Sequence, residues 1–190
     1  MLVPMVFAFL VIVSLGYVIV IYNGLVRVRA EVKLTWANID VLLVQRHDEL
    51  PKLVEVCKGY MKYEGETLER VMRARAGVDA ARSSGNVTSV GTAERELRNG
   101  LTGLYAVAEN YPQLKASEPF LHLQQRISTL ETSIADRREV YNDAVNTNNI
   151  RIQAFPDVLV ARLGDFPPAQ LLRFQADETA DVDLKAAFAR

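Results

Sequence analysis

The chain has little of what most catalytic and metal sites are built from. Its 190 residues include one cysteine and two histidines. A single cysteine excludes an intramolecular disulfide and a thiolate cage around a metal ion, and it is compatible with a reducing cytoplasm. Cys57 lies close to Val56 and Tyr60, a setting typical of a small buried hydrophobic residue rather than of a nucleophile.

Sequence motifs of the common enzyme classes are missing as well. There is no Gly-rich phosphate loop, no Gly-x-Ser-x-Gly turn and no carboxylate pair that differs from ordinary solvated helix faces. His47 has no His, Asp or Glu three or four residues away, and His122 lies between two leucines. The net charge of −1 provides no broad basic surface for nucleic acid. We predict no enzymatic activity, no catalytic, cofactor-binding or metal-binding residues, and no small-molecule substrate.

Charge is absent from the first 26 residues, Met1 to Val26, which are mostly aliphatic or aromatic. As a helix this run can cross the roughly 30 Å hydrocarbon core of a bilayer. A cleaved signal peptide fits less well, because no Lys or Arg precedes the run and no small-x-small pattern follows it. A buried core helix is the other alternative, but a soluble domain has little use for a segment that is apolar on every face. We predict an uncleaved transmembrane anchor.

The charges that follow the apolar run predict its orientation. Arg27, Arg29 and Lys33 outnumber Glu31 on the downstream side. By the positive-inside rule, the protein is expected to cross the membrane once, with its N-terminus outside and its larger part in the cytoplasm.

Three long helices are predicted downstream, and no segment shows the period-two alternation of a strand. The first continues from the anchor to about Ala81, with a kink or short interruption near Asp48 to Pro51 because proline lacks a backbone donor. The second runs from about Gly91 to Pro112 and is weakened by Gly100 and Gly103. Close helix packing and a tolerated defect are equally good reasons for these two glycines.

The third helix is the clearest element of the pattern. Ser117 is its candidate N-cap, and a coiled-coil-like heptad spacing continues to Phe155 and Pro156. A short helix from about Asp157 to Leu163 follows. The sequence therefore predicts an all-α fold, in which an N-terminal transmembrane helix continues into an antiparallel three- to four-helix bundle with long helices. The expected divisions are an anchor (1–24), a cytoplasmic helical bundle (25–163) and a partly irregular, acidic and Ala-rich C-terminal extension (164–190).

Several polar residues interrupt the apolar faces of the first and third helices. A buried charge without a partner costs several kcal/mol, so these residues should meet across the bundle. We predict a structural polar layer in which Glu131 is the best partner of Arg46, and we expect the layer to fix helix register. Its predicted members are Arg46, Glu49, Glu131 and Arg137.

Two long runs carry a family resemblance. They read YNGLVRVRAEVKLTWANIDVLLVQRHDELPKLVEVCKGYMKYEGETL, and AENYPQLKASEPFLHLQQRISTLETSIADRREVYNDAV followed by IRIQAFPDVLVARLGDF. The matching residues include Trp36, Arg46, Pro51, Tyr60, Glu64, Tyr111, Pro112, Glu131, Tyr141, Asn142, Phe155 and Pro156. In this order they resemble the LemA family of bacterial membrane proteins. One departure is that Asn148 and Asn149 stand where the family often has a second Tyr-Asn pair.

The resemblance implies an anchored cytoplasmic helical bundle at the bacterial inner membrane and carries over no catalytic residue. Our leading hypothesis is a scaffold that self-associates or recruits other inner-membrane proteins to the lipid bilayer. Apolar residues outside the main helix faces motivate it, because laterally packed copies would cover them; they are Val41, Leu43, Val44, Val54 and Leu121. The alternative is a membrane-tethered sensing or signalling adaptor whose bundle changes conformation near Pro51.

Overall fold

The protein is all-α, as predicted. A computed structural model describes residues 2–174, and within them it contains six helices and no strand. The helices are α1 (Leu2–Lys58), α2 (Gly65–Ser83), α3 (Val87–Ala108), α4 (Pro112–Lys115), α5 (Glu118–Arg151) and α6 (Asp157–Leu163). The predicted acidic tail beyond residue 174 lies outside the described residues. The predicted boundaries at residues 24 and 163 stay a prediction.

Helix α1 carries the apolar run and continues without a break into the rest of the protein. It is 57 residues long, and it is long and apolar enough to cross a membrane. Only 6% of its most apolar window is buried within the protein. A core helix of a soluble domain would bury this window, so the buried-helix alternative does not describe this segment.

The break in the first predicted helix lies further along the chain than expected. Pro51 lies inside α1, so the predicted interruption at residues 48–51 is wrong, whereas a bend there stays a prediction. The helix ends at Lys58, and α2 begins at Gly65. Gly59 follows α1 directly, and two glycines so close together weaken the helical conformation between them. One predicted helix is thus two helices.

By contacts the chain divides into two compact units, here called the first and the second unit. Of the described residues, the first unit contains 2–43 and 131–171, and the second contains 44–130 and 172–174. In the first unit, α1 and α5 run antiparallel: Trp36 packs on Tyr141 with ring centroids 5.4 Å apart, and Arg151 lies against Gly24.

The irregular segment after α6 is held against α5 by hydrogen bonds. The Asn149 side chain accepts from the backbone N–H of Ala169 at 2.8 Å and donates to the Ala169 carbonyl at 2.9 Å. The Tyr141 hydroxyl donates to the Gln170 carbonyl at 2.8 Å, and burial raises the pKa of this hydroxyl. Asn148 stands where the LemA family often has a tyrosine. It is buried, and its side-chain amide donates to the Asn149 side chain at 3.2 Å.

The second unit contains the larger apolar core. Asn86 caps α3 by accepting from the Ser89 backbone N–H at 3.1 Å, and Gly85 has a φ of 68° in the preceding turn. Helices α2 and α3 therefore form a tight helical hairpin. The core is formed by residues from α1, α2, α3, α4 and the first turns of α5, among them Leu50, Leu53, Cys57, Val71, Leu97, Leu101, Leu104, Leu114, Phe120 and Ile127.

The glycines of α3 differ in what surrounds them. A Cβ at Gly91 would lie 2.1 Å from the Arg173 carbonyl oxygen, so residues 172–174 can approach α3 only because position 91 has no side chain. A Cβ at Gly100 would make ordinary contact with Val71 of α2 at 3.7 Å. A Cβ at Gly103 would meet nothing within 4 Å, so helix packing does not require glycine there.

These surroundings predict opposite effects for two otherwise equivalent substitutions. Gly91→Ala should displace residues 172–174 and lower the free energy of unfolding by about 1–3 kcal/mol, the usual cost of overpacking. Gly103→Ala should raise it by about 0.5–1 kcal/mol, because alanine favours the helix. Urea denaturation of the full chain in detergent, followed by circular dichroism, measures both. Equal effects of the two substitutions would contradict the close contact at position 91.

Candidate functional site

A buried ion pair lies inside the second unit. The Arg46 guanidinium of α1 contacts the Glu94 carboxylate of α3, and both residues are 3% exposed. Low solvent access removes hydration from both ions, so each depends on the other for compensation. The Arg46 Nε, which is also buried, has no hydrogen-bond acceptor among residues 2–174.

The predicted polar layer is only partly recognisable in this arrangement. Arg46 is buried as expected, but its ion pair is with Glu94, which corrects the prediction that Glu131 is its best partner. Glu49 is half-buried and contacts Lys52 on its own helix at 3.1 Å. Glu131 lies in the first unit with one buried carboxylate oxygen, and Arg137 is exposed on α5. A single layer of these four residues stays a prediction.

Glu94 could have been found from the spacing of α3. Six of its buried residues follow alternating steps of four and three residues: Val90, Glu94, Leu97, Leu101, Leu104 and Ala108. The sequence prediction did not include Glu94 among the members of the polar layer. An acidic residue in step with a leucine series is the signal that identifies the partner of Arg46.

A second polar contact compensates for the proline in α1. Proline at position 51 has no N–H to donate to the carbonyl of His47, four residues earlier. Arg75 of α2 supplies the missing donor, with its Nε 2.9 Å from the His47 carbonyl oxygen. Burial, and then the charge of Arg75, lowers the pKa of the His47 imidazole and so favours its neutral form. The contact joins α2 to α1 at the level of Pro51.

This contact predicts an interaction between two distant positions of the sequence. Arg75→Met keeps most of the side-chain packing but removes the donor, and it should lower the free energy of unfolding by about 1–2 kcal/mol. In a Pro51→Ala background the backbone N–H is restored, so the same substitution should cost measurably less. Urea denaturation of the four variants forms a double-mutant cycle. A coupling of zero would show that Arg75 does not compensate for Pro51.

An open groove lies between the end of α1 and α2. Its volume is about 670 Å³. Apolar side chains line much of it, with charged residues of both signs among them. The lining includes Pro51, Val54, Met61, Leu68 and Met72, with Glu55, Lys58, Lys62 and Glu69. Methionine side chains adapt to different apolar surfaces, so this groove suits contact with another apolar group better than acid–base chemistry.

The described residues contain no cluster of the kind that binds a metal. Among residues 2–174, no group of three or more His, Cys, Asp or Glu is placed to hold an ion. Cys57 is fully buried, and burial raises the pKa of its thiol to about 11. The thiol is therefore protonated at neutral pH and is a core residue rather than a nucleophile.

Comparison with known proteins gives consistent similarities. A profile of the LemA family matches residues 35–186. Protein LemA of Metamycoplasma hominis is 26% identical over 165 residues, which cover 85% of this chain and 73% of that protein. Neither description names an enzymatic reaction.

Magnetosome proteins are also similar. Magnetosome protein MamQ 2 of Paramagnetospirillum magneticum is 29% identical over 120 residues, covering 63% of this chain and 43% of the relative. Magnetosome protein MamQ of Magnetospirillum gryphiswaldense is 21% identical over 169 residues, covering 76% of this chain and 62% of the relative. The match to MamQ 2 thus spans less than half of that relative's length.

Proposed function

The chain belongs to the LemA family, and from this premise we propose that it is a membrane-anchored structural and interaction protein at the cytoplasmic face of the bacterial inner membrane. In this role it self-associates or scaffolds other inner-membrane proteins, and it catalyses no reaction. The observation that carries the proposal is the continuity of α1, whose apolar part passes without a break into residues that form the core of the second unit.

The orientation rests on the charges next to the apolar run. Arg27, Arg29 and Lys33 follow it within two turns, against Glu31 alone. Positive charges of this kind stay on the cytoplasmic side during insertion. The proposed orientation therefore has the N-terminus outside and the larger part of the protein in the cytoplasm.

The surfaces available for association differ from those first expected. Leu43 and Val54 are core residues, at 2% and 3% exposure, and Val44 is half-buried. Val41 and Leu121 are exposed, and the groove between the end of α1 and α2 opens to solvent. These remaining apolar surfaces support lateral contacts with a second copy or with a partner protein.

The oligomeric state of the full chain in membranes tests the proposal. In one experiment the protein would be reconstituted into lipid nanodiscs and measured by mass photometry. In a second experiment it would be crosslinked in the membranes of growing cells. We expect oligomers or discrete crosslinked complexes, and protease added to sealed inverted vesicles should cleave exposed loops of the bundle. A strictly monomeric chain without crosslinked partners would contradict scaffolding, and protection from protease would contradict the orientation.

A sensing adaptor is the second candidate, and the contact of Arg75 with the His47 carbonyl favours it. This contact ties α2 to the turn of α1 that contains Pro51, so a signal that separates the helices there would break one identifiable hydrogen bond. Pro51→Ala should then change the set of crosslinked partners while the protein remains folded. An unchanged set, with equal or higher stability, would favour the passive scaffold.

A further inference from the structure

A group of large apolar side chains is exposed around α6, at one end of the first unit. Ile150 is 67% exposed, Phe155 82%, Leu159 56% and Leu163 91%. Leu159 and Leu163 are four residues apart and share one face of α6. Phe155 lies in the turn just before α6, and Ile150 lies near the end of α5. Val160 and Ala161 are buried on the other side. We call Ile150, Phe155, Leu159 and Leu163 the cap face.

The structure places this segment beside the part of α1 where the apolar run ends. Ile152, Val160, Ala161 and Phe166 form one buried cluster with Ile21 and Leu25. The Tyr22 and Phe166 rings pack edge to face with centroids 5.6 Å apart. The Arg29 guanidinium lies 5.8 Å from the centroid of the Phe166 ring and donates to the Asp165 carbonyl at 3.4 Å.

The level of this contact corresponds to the membrane surface. About 20 helical residues cross the hydrocarbon core, and a span that starts at Val3 ends at Tyr22. Tyrosine is enriched at the boundary between hydrocarbon and headgroups, and the first charged residue, Arg27, follows one turn later. For an α1 that crosses a bilayer in this way, the packing of α6 against Ile21 and Leu25 corresponds to the depth of the headgroups.

The charges around the cap face fit a lipid surface. The acidic group nearest the start of α6, Asp157, is paired with Arg151 at 2.8 Å, so it does not repel anionic headgroups. Arg162 is exposed next to Leu163, and Asp165 is exposed two residues further along. With Arg27 and Arg29 on the adjacent turns of α1, the basic groups at this end of the first unit outnumber Asp165. An apolar face bordered by arginines is the pattern of a helix that lies in the membrane interface.

We propose that the cap face inserts into the headgroup and outer acyl region of the same bilayer that the anchor crosses, so that α6 is an interfacial helix. The inference rests on the proposed membrane anchoring by α1. It adds a second, lateral membrane contact that limits the tilt of the first unit against the bilayer. The lipid surface, rather than a second copy of the chain, is the occupant because the opposite side of α6 packs on Ile21 and Leu25, where the apolar run of α1 ends, and because Arg162 lies next to Leu163.

Site-specific fluorescence in lipid nanodiscs tests the proposal. In a Cys57→Ala background of the full chain, an environment-sensitive dye would be attached to Leu163→Cys. Leu34→Cys is the matched control, since Leu34 is also an exposed leucine of the first unit but lies about 18 Å further along α1 than Tyr22. Ile12→Cys reports the anchor itself. Discs with one chain each, and separate discs with two, would contain phosphatidylcholine and phosphatidylglycerol brominated near the top of the acyl chains. A second lipid set, brominated deeper along the acyl chains, serves position 12.

We expect the brominated lipids to quench the dye at position 163 by about half, consistent with insertion roughly 5–10 Å deep, and to leave the dye at position 34 unchanged. If the dyes at positions 163 and 34 were quenched equally little, and the dye at position 12 were still quenched by the deeper-brominated lipids, the interfacial helix would be overturned but the anchor would not. Loss of quenching at 12 would overturn the anchor as well. Protection of position 163 from aqueous iodide only in discs with two chains would assign the cap face to a second copy and overturn the proposal.

Discussion

Replacing Glu94 with leucine is expected to lower the free energy of unfolding by about 3–5 kcal/mol, the usual cost of leaving one charge of a buried pair without its partner. The leucine itself fits the surroundings, because its neighbours one turn away in the helix series are Val90 and Leu97. The loss therefore comes from Arg46, whose guanidinium is buried and, within residues 2–174, forms its ion pair with Glu94. Urea denaturation of the full chain in detergent, followed by circular dichroism, measures the loss.

The double variant Arg46→Met/Glu94→Leu separates the pair from the packing. Replacement of a whole buried ion pair by apolar residues is often neutral or stabilising, so the double variant should recover most of the lost stability. Glu69→Ala is the matched surface control, because Glu69 pairs with Arg73 on the exposed side of α2, and its cost should stay within about 0.5 kcal/mol. If Glu94→Leu alone were as stable as the double variant, Arg46 would not depend on Glu94.

Much of the fold followed from local signals in the sequence. Ser117, the predicted N-cap, accepts from the Phe120 backbone N–H at 3.4 Å at the start of α5, and α6 has the predicted bounds of Asp157 and Leu163. These signals work because capping groups and helical periodicity act within a few residues. The first helix was expected to break near Pro51 because proline removes one backbone hydrogen bond. Arg75, which is distant in sequence, donates to the carbonyl left without that bond, and a local pattern does not reveal this contact.

The candidate site was predicted in kind but not in its members. A buried arginine requires an acidic partner, and this requirement is visible in the apolar surroundings of position 46. Which acid supplies it depends on the helix that packs beside α1, and local pattern does not determine that neighbour. The burial of Leu172 and Phe174 was missed for a related reason. The segment before these residues contains two prolines and no periodicity, so the sequence predicts an irregular chain there. Its packing against α3 depends on Gly91, which is distant in sequence and leaves room for it.

The largest expected effect concerns the proposed membrane anchor. The 13 Leu, Ile, Val and Phe residues between Val3 and Tyr22 each favour insertion by about 0.3–0.6 kcal/mol, together about 4–8 kcal/mol. An arginine near the middle of a span opposes insertion by about 2.5–3.5 kcal/mol. Replacing both Leu10 and Val13 with arginine should therefore cost at least about 5–7 kcal/mol and leave insertion near balance or unfavourable. We expect most of the chain to be released from membranes by alkaline carbonate extraction.

The same helix provides a matched control for this experiment. Leu34 and Val41 are a leucine and a valine of α1, 57% and 55% exposed, while Leu10 and Val13 are 58% and 51% exposed. Side-chain exposure is therefore equal in the two pairs, and only their position relative to the bilayer differs. Leu34→Arg/Val41→Arg should leave the protein resistant to extraction, since these positions lie beyond the first charged residues. Release of both double variants to the same extent would indicate general destabilisation of α1, and release of neither would contradict the assignment of residues 3–22 as the membrane span.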